Sequence, residues 1–176
     1  MAIETAEWTA PQVDRPAGSL TAPERDLLQG YLDFYRRTLL FKCAGLSGAE
    51  LAAAPSPPSN LSLLGLIRHL TKVERIWFRI HFADVPAAPV FPPALGKDAD
   101  FELVDPAQAQ AAYEGLVAEW KLSDEAVAGR SLDDRFTFNG TESTLRMIYI
   151  HLIGEYARHC GHADLLREQL DGTTGA

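Results

Sequence analysis

The sequence predicts an all-α protein, a four-helix bundle with a metal site between helices. Two kinds of observation carry the fold. Apolar residues recur at helical spacing in four separate stretches, and most of these stretches open or close on a helix-boundary signal. A third observation fits them: only residues 130–140 read as extended, and a single short strand makes no sheet.

Residues 1–20, with Pro11, Pro16 and Gly18, carry no sustained period and read as an N-terminal extension; residues 21–172 read as one domain. The first helix opens at Thr21-Ala22-Pro23-Glu24, which joins a capping-box pattern to a proline in the first turn. Leu28, Tyr31, Tyr35 and Leu39 follow at helical spacing, and the run ends near Gly45. Ser47-Gly48-Ala49-Glu50 predicts one or two further helical turns, and Pro55, Pro57 and Pro58 then forbid regular structure.

Ser59, Asn60 or Ser62 can cap a second long helix running to about Phe82, with Leu66, Val73, Ile76 and Ile80 as its apolar stripe. A proline-rich loop follows. Asp105-Pro106 opens a third long helix, with Tyr113, Leu116, Trp120 and Val127 on its buried side and Gly129 at its end. Asn139-Gly140 signals a turn. The last helix is expected to begin near 141–144 and to run to about Leu170, closed by Asp171-Gly172.

The 176 residues suit one domain with a real core. Apolar residues at 47% and charged residues at 23% argue against wholesale disorder. The net charge of −8 argues against nucleic acid and against anionic membranes, because both need clustered Lys and Arg. No stretch approaches the roughly 20 apolar residues of a spanning helix. Residues 1–7 hold two acids and no basic residue, unlike a secretory leader. Cys43 and Cys160 match no metal or redox motif, so two free thiols in a reducing cytoplasm are expected.

The chemistry concentrates on the last helix. Stepping from Ile148 by three or four gives His151, Glu155, His159, His162 and Leu166. The four middle positions span an arc of about 80° at 100° per residue, flanked by apolar positions that point inward. A carboxylate on such a seam needs a neutralising partner. A divalent cation is one candidate: Glu155 and His159, four apart, can share one ion, and His69 lies on the core stripe of the second helix between Leu66 and Val73. Two His and one Glu form a known catalytic zinc set with an open position, and zinc is expected first, with nickel or iron(II) also suited to these ligands. The competing reading is a salt-linked seam, with Glu74 and Glu155 paired to Arg68, Arg158 or Arg167. Cys160 points about 100° away from the metal face and reads as core filler.

Two segments resemble a known family. Leu61-Ser62-Leu63-Leu64-Gly65-Leu66-Ile67-Arg68-His69-Leu70, followed by Val73-Glu74-Arg75-Ile76-Trp77-Phe78, resembles the second helix of the DinB-like superfamily, nearest its actinobacterial mini-circle protein branch. Glu155-Tyr156-Ala157-Arg158-His159-Cys160-Gly161-His162-Ala163-Asp164-Leu165-Leu166-Arg167-Glu168 resembles its last helix. The likeness covers about residues 21–170. It implies a four-helix bundle around a divalent metal, with ligands at His69, Glu155 and His159. Glu155 stands where many relatives carry His, a departure similar to the mycothiol-dependent maleylpyruvate isomerases, and His162 stands where many carry Gln.

The resemblance further implies thiol-dependent transfer or isomerisation with mycothiol, bacillithiol or a related thiol. On that reading a small thiol and an electrophile are the partners, and a homodimer is suggested by the family alone. His151 and His162 are the candidates to orient a ligand or carry a proton. Arg68 and Arg158, with Asp164, are the candidates to hold the polar parts of the thiol. The alternative is a non-enzymatic or hydrolytic metal-binding stress protein of the same fold.

Overall fold

The computed structural model describes residues 7–102 and 104–175, except the side chain of Pro93. In chain order the elements are α1 (Glu24–Cys43), α2 (Gly48–Ala52), α3 (Leu63–Glu74), a π-helical run that continues α3 (Arg75–Phe82), α4 (Ala99–Glu102), α5 (Ala109–Ala126), strands β1 (Arg135–Phe138) and β2 (Thr141–Thr144), and α6 (Leu145–Asp171). The described residues are thus mostly helical, with a small two-stranded sheet.

Most boundary signals act as the sequence predicts. Ser47 and Glu50 form a complete capping box on α2. The Ser62 hydroxyl accepts from Gly65 N at 3.0 Å and starts α3. Asp105 accepts from Ala107 N at 2.9 Å and opens a 3-10 turn (Pro106–Gln108) that leads into α5. Gly172 closes α6 in the left-handed region at φ 76°.

Two boundaries differ. Helix α1 has Pro23 as its N-cap residue, at φ −52° and ψ 152°, with no side-chain cap. Thr21 therefore lies two residues before the N-cap, too early to form the expected capping box. Residues 141–144 are strand, not helix. Asn139 and Gly140 both take positive φ, 49° and 77°, which suits a tight hairpin turn and pairs β1 with β2 in antiparallel register, Arg135 opposite Thr144. Thr144 then caps α6 through Met147 N.

The N-terminal stretch docks in part. Thr9 bridges to Ser47, Ala10 N donates to Leu46 O at 2.9 Å, and Trp8 meets Tyr113 edge to face. Residues 1–6 lie outside the described residues.

Helix α1 packs along α6, and α3 packs against both α5 and α6. One apolar cluster joins them, including Leu32 and Leu39 of α1, Leu66, Ile67 and Leu70 of α3, Leu116 of α5, and Ile148 and Leu152 of α6. The α4 turn crosses α3 at Gly65, where a Cβ would meet the Phe101 ring at 3.1 Å. That close approach sets residues 99–101 beside His69, one turn further along α3. No helix among the described residues is long and apolar enough to cross a membrane.

Candidate metal centre

Three side chains from two helices converge at the α3–α6 interface. Ligand atoms of His69, Glu155 and His159 all lie within 4.8 Å of one another. Glu155 Oε2 faces His159 Nε2 at 3.5 Å and His69 Nε2 at 3.8 Å. Donors on a tetrahedral ion with bonds of about 2.0–2.1 Å stand roughly 3.3 Å apart. Small movements would therefore bring all three onto one cation, and the donor set suits zinc, nickel or iron(II). His159 is buried and the other two are half-buried, so solvent reaches part of the group. Burial, with the neighbouring His69 imidazole, pushes the His159 imidazole down to about 4. The ring is neutral near pH 7, the form a metal ligand needs.

Each imidazole is held from behind. His69 Nδ1 is 2.7 Å from Asp100 Oδ2. Burial alone would raise the Asp100 carboxyl, but hydrogen bonds from His69 and Lys72 bring it down to about 2. It is therefore an acceptor only, and His69 Nδ1 must carry the proton, leaving the Nε2 lone pair to face Glu155. Phe101 stacks on the same ring at 5.1 Å. His159 Nδ1 instead meets His162 Nδ1 at 3.2 Å.

Asp100 escapes sequence reasoning. It lies 31 residues from His69 in a short turn that also holds Asp98 and Glu102, and no periodicity marks it out.

The remaining candidates are spread more widely. His151 meets the Trp77 ring at 4.5 Å in a tilted arrangement, one turn before Glu155 on α6. Arg158 is exposed and donates to Glu155 Oε1 at 3.2 Å. Arg68 donates to Ala99 O, stands over the Phe91 ring and lines a cavity of about 380 Å³ with Thr71, Gln108 and Gly115. Asp164 pairs with Lys42 at 2.6 Å, towards α1. Both cysteines are free and buried; Cys160 Sγ donates to Tyr35 O, and burial pushes each thiol up to about 12.

The salt-linked seam exists in part as expected: Glu155 pairs with Arg158 at 3.2 Å, whereas Glu74 has a different partner. Glu74 is bound by Arg36, through Nε at 2.8 Å and Nη2 at 2.9 Å, and not by Arg68, Arg158 or Arg167. Arg167 instead donates to the carbonyls of Lys42 and Ala44 and pairs with Asp171.

The family model described as mycothiol-S-transferase matches residues 27–172. The chain belongs to the mycothiol-S-transferase family. This membership fits the DinB-like, mycothiol-related resemblance of its second and last long helices. No curated protein and no solved structure matches the chain.

Proposed function

We propose that the protein is an S-transferase that joins a low-molecular-weight thiol, mycothiol foremost, to an electrophile, using one divalent cation held by His69, Glu155 and His159. The fold is read accordingly as a DinB-like four-helix bundle of α1, α3 with its extension, α5 and α6. The observation that carries the proposal is the donor set itself. Two imidazole nitrogens and one carboxylate oxygen converge, three protein ligands leave a position open, and Cys43 and Cys160 are committed to the core. Any sulfur nucleophile must therefore come from solution, and the family description names the thiol.

A divalent cation held by His69, Glu155 and His159 would lower the pKa of an incoming thiol and so supply a thiolate near neutral pH. The thiol proton passes to solvent, the sulfur lone pair forms the new C–S bond, and the leaving group departs with its electron pair. Arg158, beside Glu155 at the surface, and Arg68, at the mouth of its cavity, are positioned to receive polar groups of the thiol. His151, one turn from Glu155, is the candidate to orient the electrophile or carry a proton.

The test is titration of the cobalt-substituted protein with mycothiol. The expected result is a sulfur-to-cobalt charge-transfer band in the near ultraviolet that Glu155→Ala abolishes. If millimolar mycothiol and bacillithiol both leave the spectrum unchanged, the thiol reading falls. A non-enzymatic or hydrolytic metal protein then remains.

A further inference from the structure

We infer that His162 is a positioning residue: it decides which nitrogen of His159 carries the proton, and so how tightly the site holds a cation. The inference rests on reading the triad as a metal site.

A neutral imidazole has one N–H and one lone pair. The Nδ1 atoms of His159 and His162 are 3.2 Å apart, so one must donate and the other accept. Two arrangements satisfy this. In the first, His159 carries its proton on Nδ1 and donates to His162, and its Nε2 lone pair points at the cleft. In the second, His162 donates, and His159 carries its proton on Nε2, aimed at Glu155 Oε2 3.5 Å away. The second arrangement masks a ligand behind an N–H. The first arrangement keeps the 3.2 Å hydrogen bond just as the second does, and forgoes only a 3.5 Å contact with Glu155 that is marginal as a hydrogen bond. It also asks nothing unusual of His162, which is half-buried and can keep its proton on Nε2.

The two imidazole ligands therefore differ in kind. His69 is fixed by an anionic acceptor, Asp100, which cannot donate. His159 is set by a neutral ring that can do either. Without an acceptor at position 162, the Nδ1–H of His159 would be stranded in a buried setting, and the ring would move its proton to Nε2, facing Glu155.

The test uses the full chain as wild type, His162→Leu and His162→Gln. Zinc affinity is measured by competition with a chelator. The proton positions of His69 and His159 are read in the metal-free protein from the nitrogen shifts of both rings. His162→Leu is expected to weaken zinc binding about 10–100-fold and to move the His159 proton to Nε2. His162→Gln, whose amide oxygen can accept, is expected to recover most of the affinity and the Nδ1 proton. His69, held by Asp100, serves as the internal control and should not change.

Wild-type affinity in His162→Leu, or a His159 proton that stays on Nδ1 there, would overturn the inference. A wild type that binds no zinc would instead sink the metal reading. The proton position of His159 would still test what His162 does.

Discussion

Two carboxylates stand at the interface of α3 with α6, and the protein treats them in opposite ways. Glu74 is fully buried and closed: Arg36 grips both its oxygens, Tyr156 OH donates to it at 3.0 Å, and Trp120 Nε1 donates to Tyr156 OH at 2.8 Å. Glu155, next to Tyr156 in the chain, faces two imidazole nitrogens, and among the described residues its cation partner is the exposed Arg158. An exposed pair of that kind contributes little. The first group brings its own cation and is complete as folded. The second gathers donor atoms that, on the proposed function, would take a cation from outside. A polar residue on a core seam is thus structural or ligand-binding according to whether a protein cation reaches it, and spacing alone does not say which.

The sharpest way to break this comparison is at Glu74. Glu74→Ala strands Arg36 in the core, with only Asp33 and Asp124 left on its other nitrogen, and is expected to cost about 3 kcal/mol of stability. Urea unfolding of the metal-free protein measures it; a loss under about 1 kcal/mol would mean the closed node does not hold the helices. His69→Ala should do the reverse. Metal-free stability should stay within about 1 kcal/mol of wild type, while zinc at 100-fold over its dissociation constant should no longer add the roughly 2.7 kcal/mol it gives wild type. A metal-free wild type that is unfolded by circular dichroism would make the ion structural and overturn the open-site reading.

Asp100→Asn tests the support behind the open group. Losing the anionic acceptor should weaken zinc binding about 10–100-fold without unfolding the chain. Unchanged affinity would show that His69 is oriented by helix packing and Phe101 alone. The smallest effect is expected at Tyr156→Phe, which removes one hydrogen bond to Glu74 and the acceptor of Trp120. It should cost about 1 kcal/mol and leave zinc affinity unaltered, although Tyr156 adjoins Glu155. A clear loss of affinity there would show that the two regions are coupled through α6.

The two groups were not equally legible. Glu155 and His159 are four apart on one helix, a distance fixed by helical geometry, so their pairing can be read before any tertiary structure is known. His69 could be placed on an inward stripe for the same reason, between Leu66 and Val73. Arg36 gives no signal of its own, because a charged residue on a helix is ordinarily solvent-facing and its partner is 38 residues away. The hairpin was half legible: Asn139-Gly140 announced the turn, but the polar run Thr141-Glu142-Ser143-Thr144 has no apolar alternation to announce a second strand.

By itself the sequence determined the helices, most of their caps, and a carboxylate and imidazoles on facing stripes. These follow from local chemistry: backbone periodicity, hydroxyl and carboxylate caps, and the left-handed tolerance of Gly172. Only the tertiary structure decided which polar residues meet. The contacts of His69 with Asp100, Arg36 with Glu74 and Tyr156 with Glu74 span 31, 38 and 82 residues. Such pairings depend on how deeply helices dock and on where a small residue such as Gly65 lets a loop approach. Those distances are set by packing the whole core at once, and no local period encodes them.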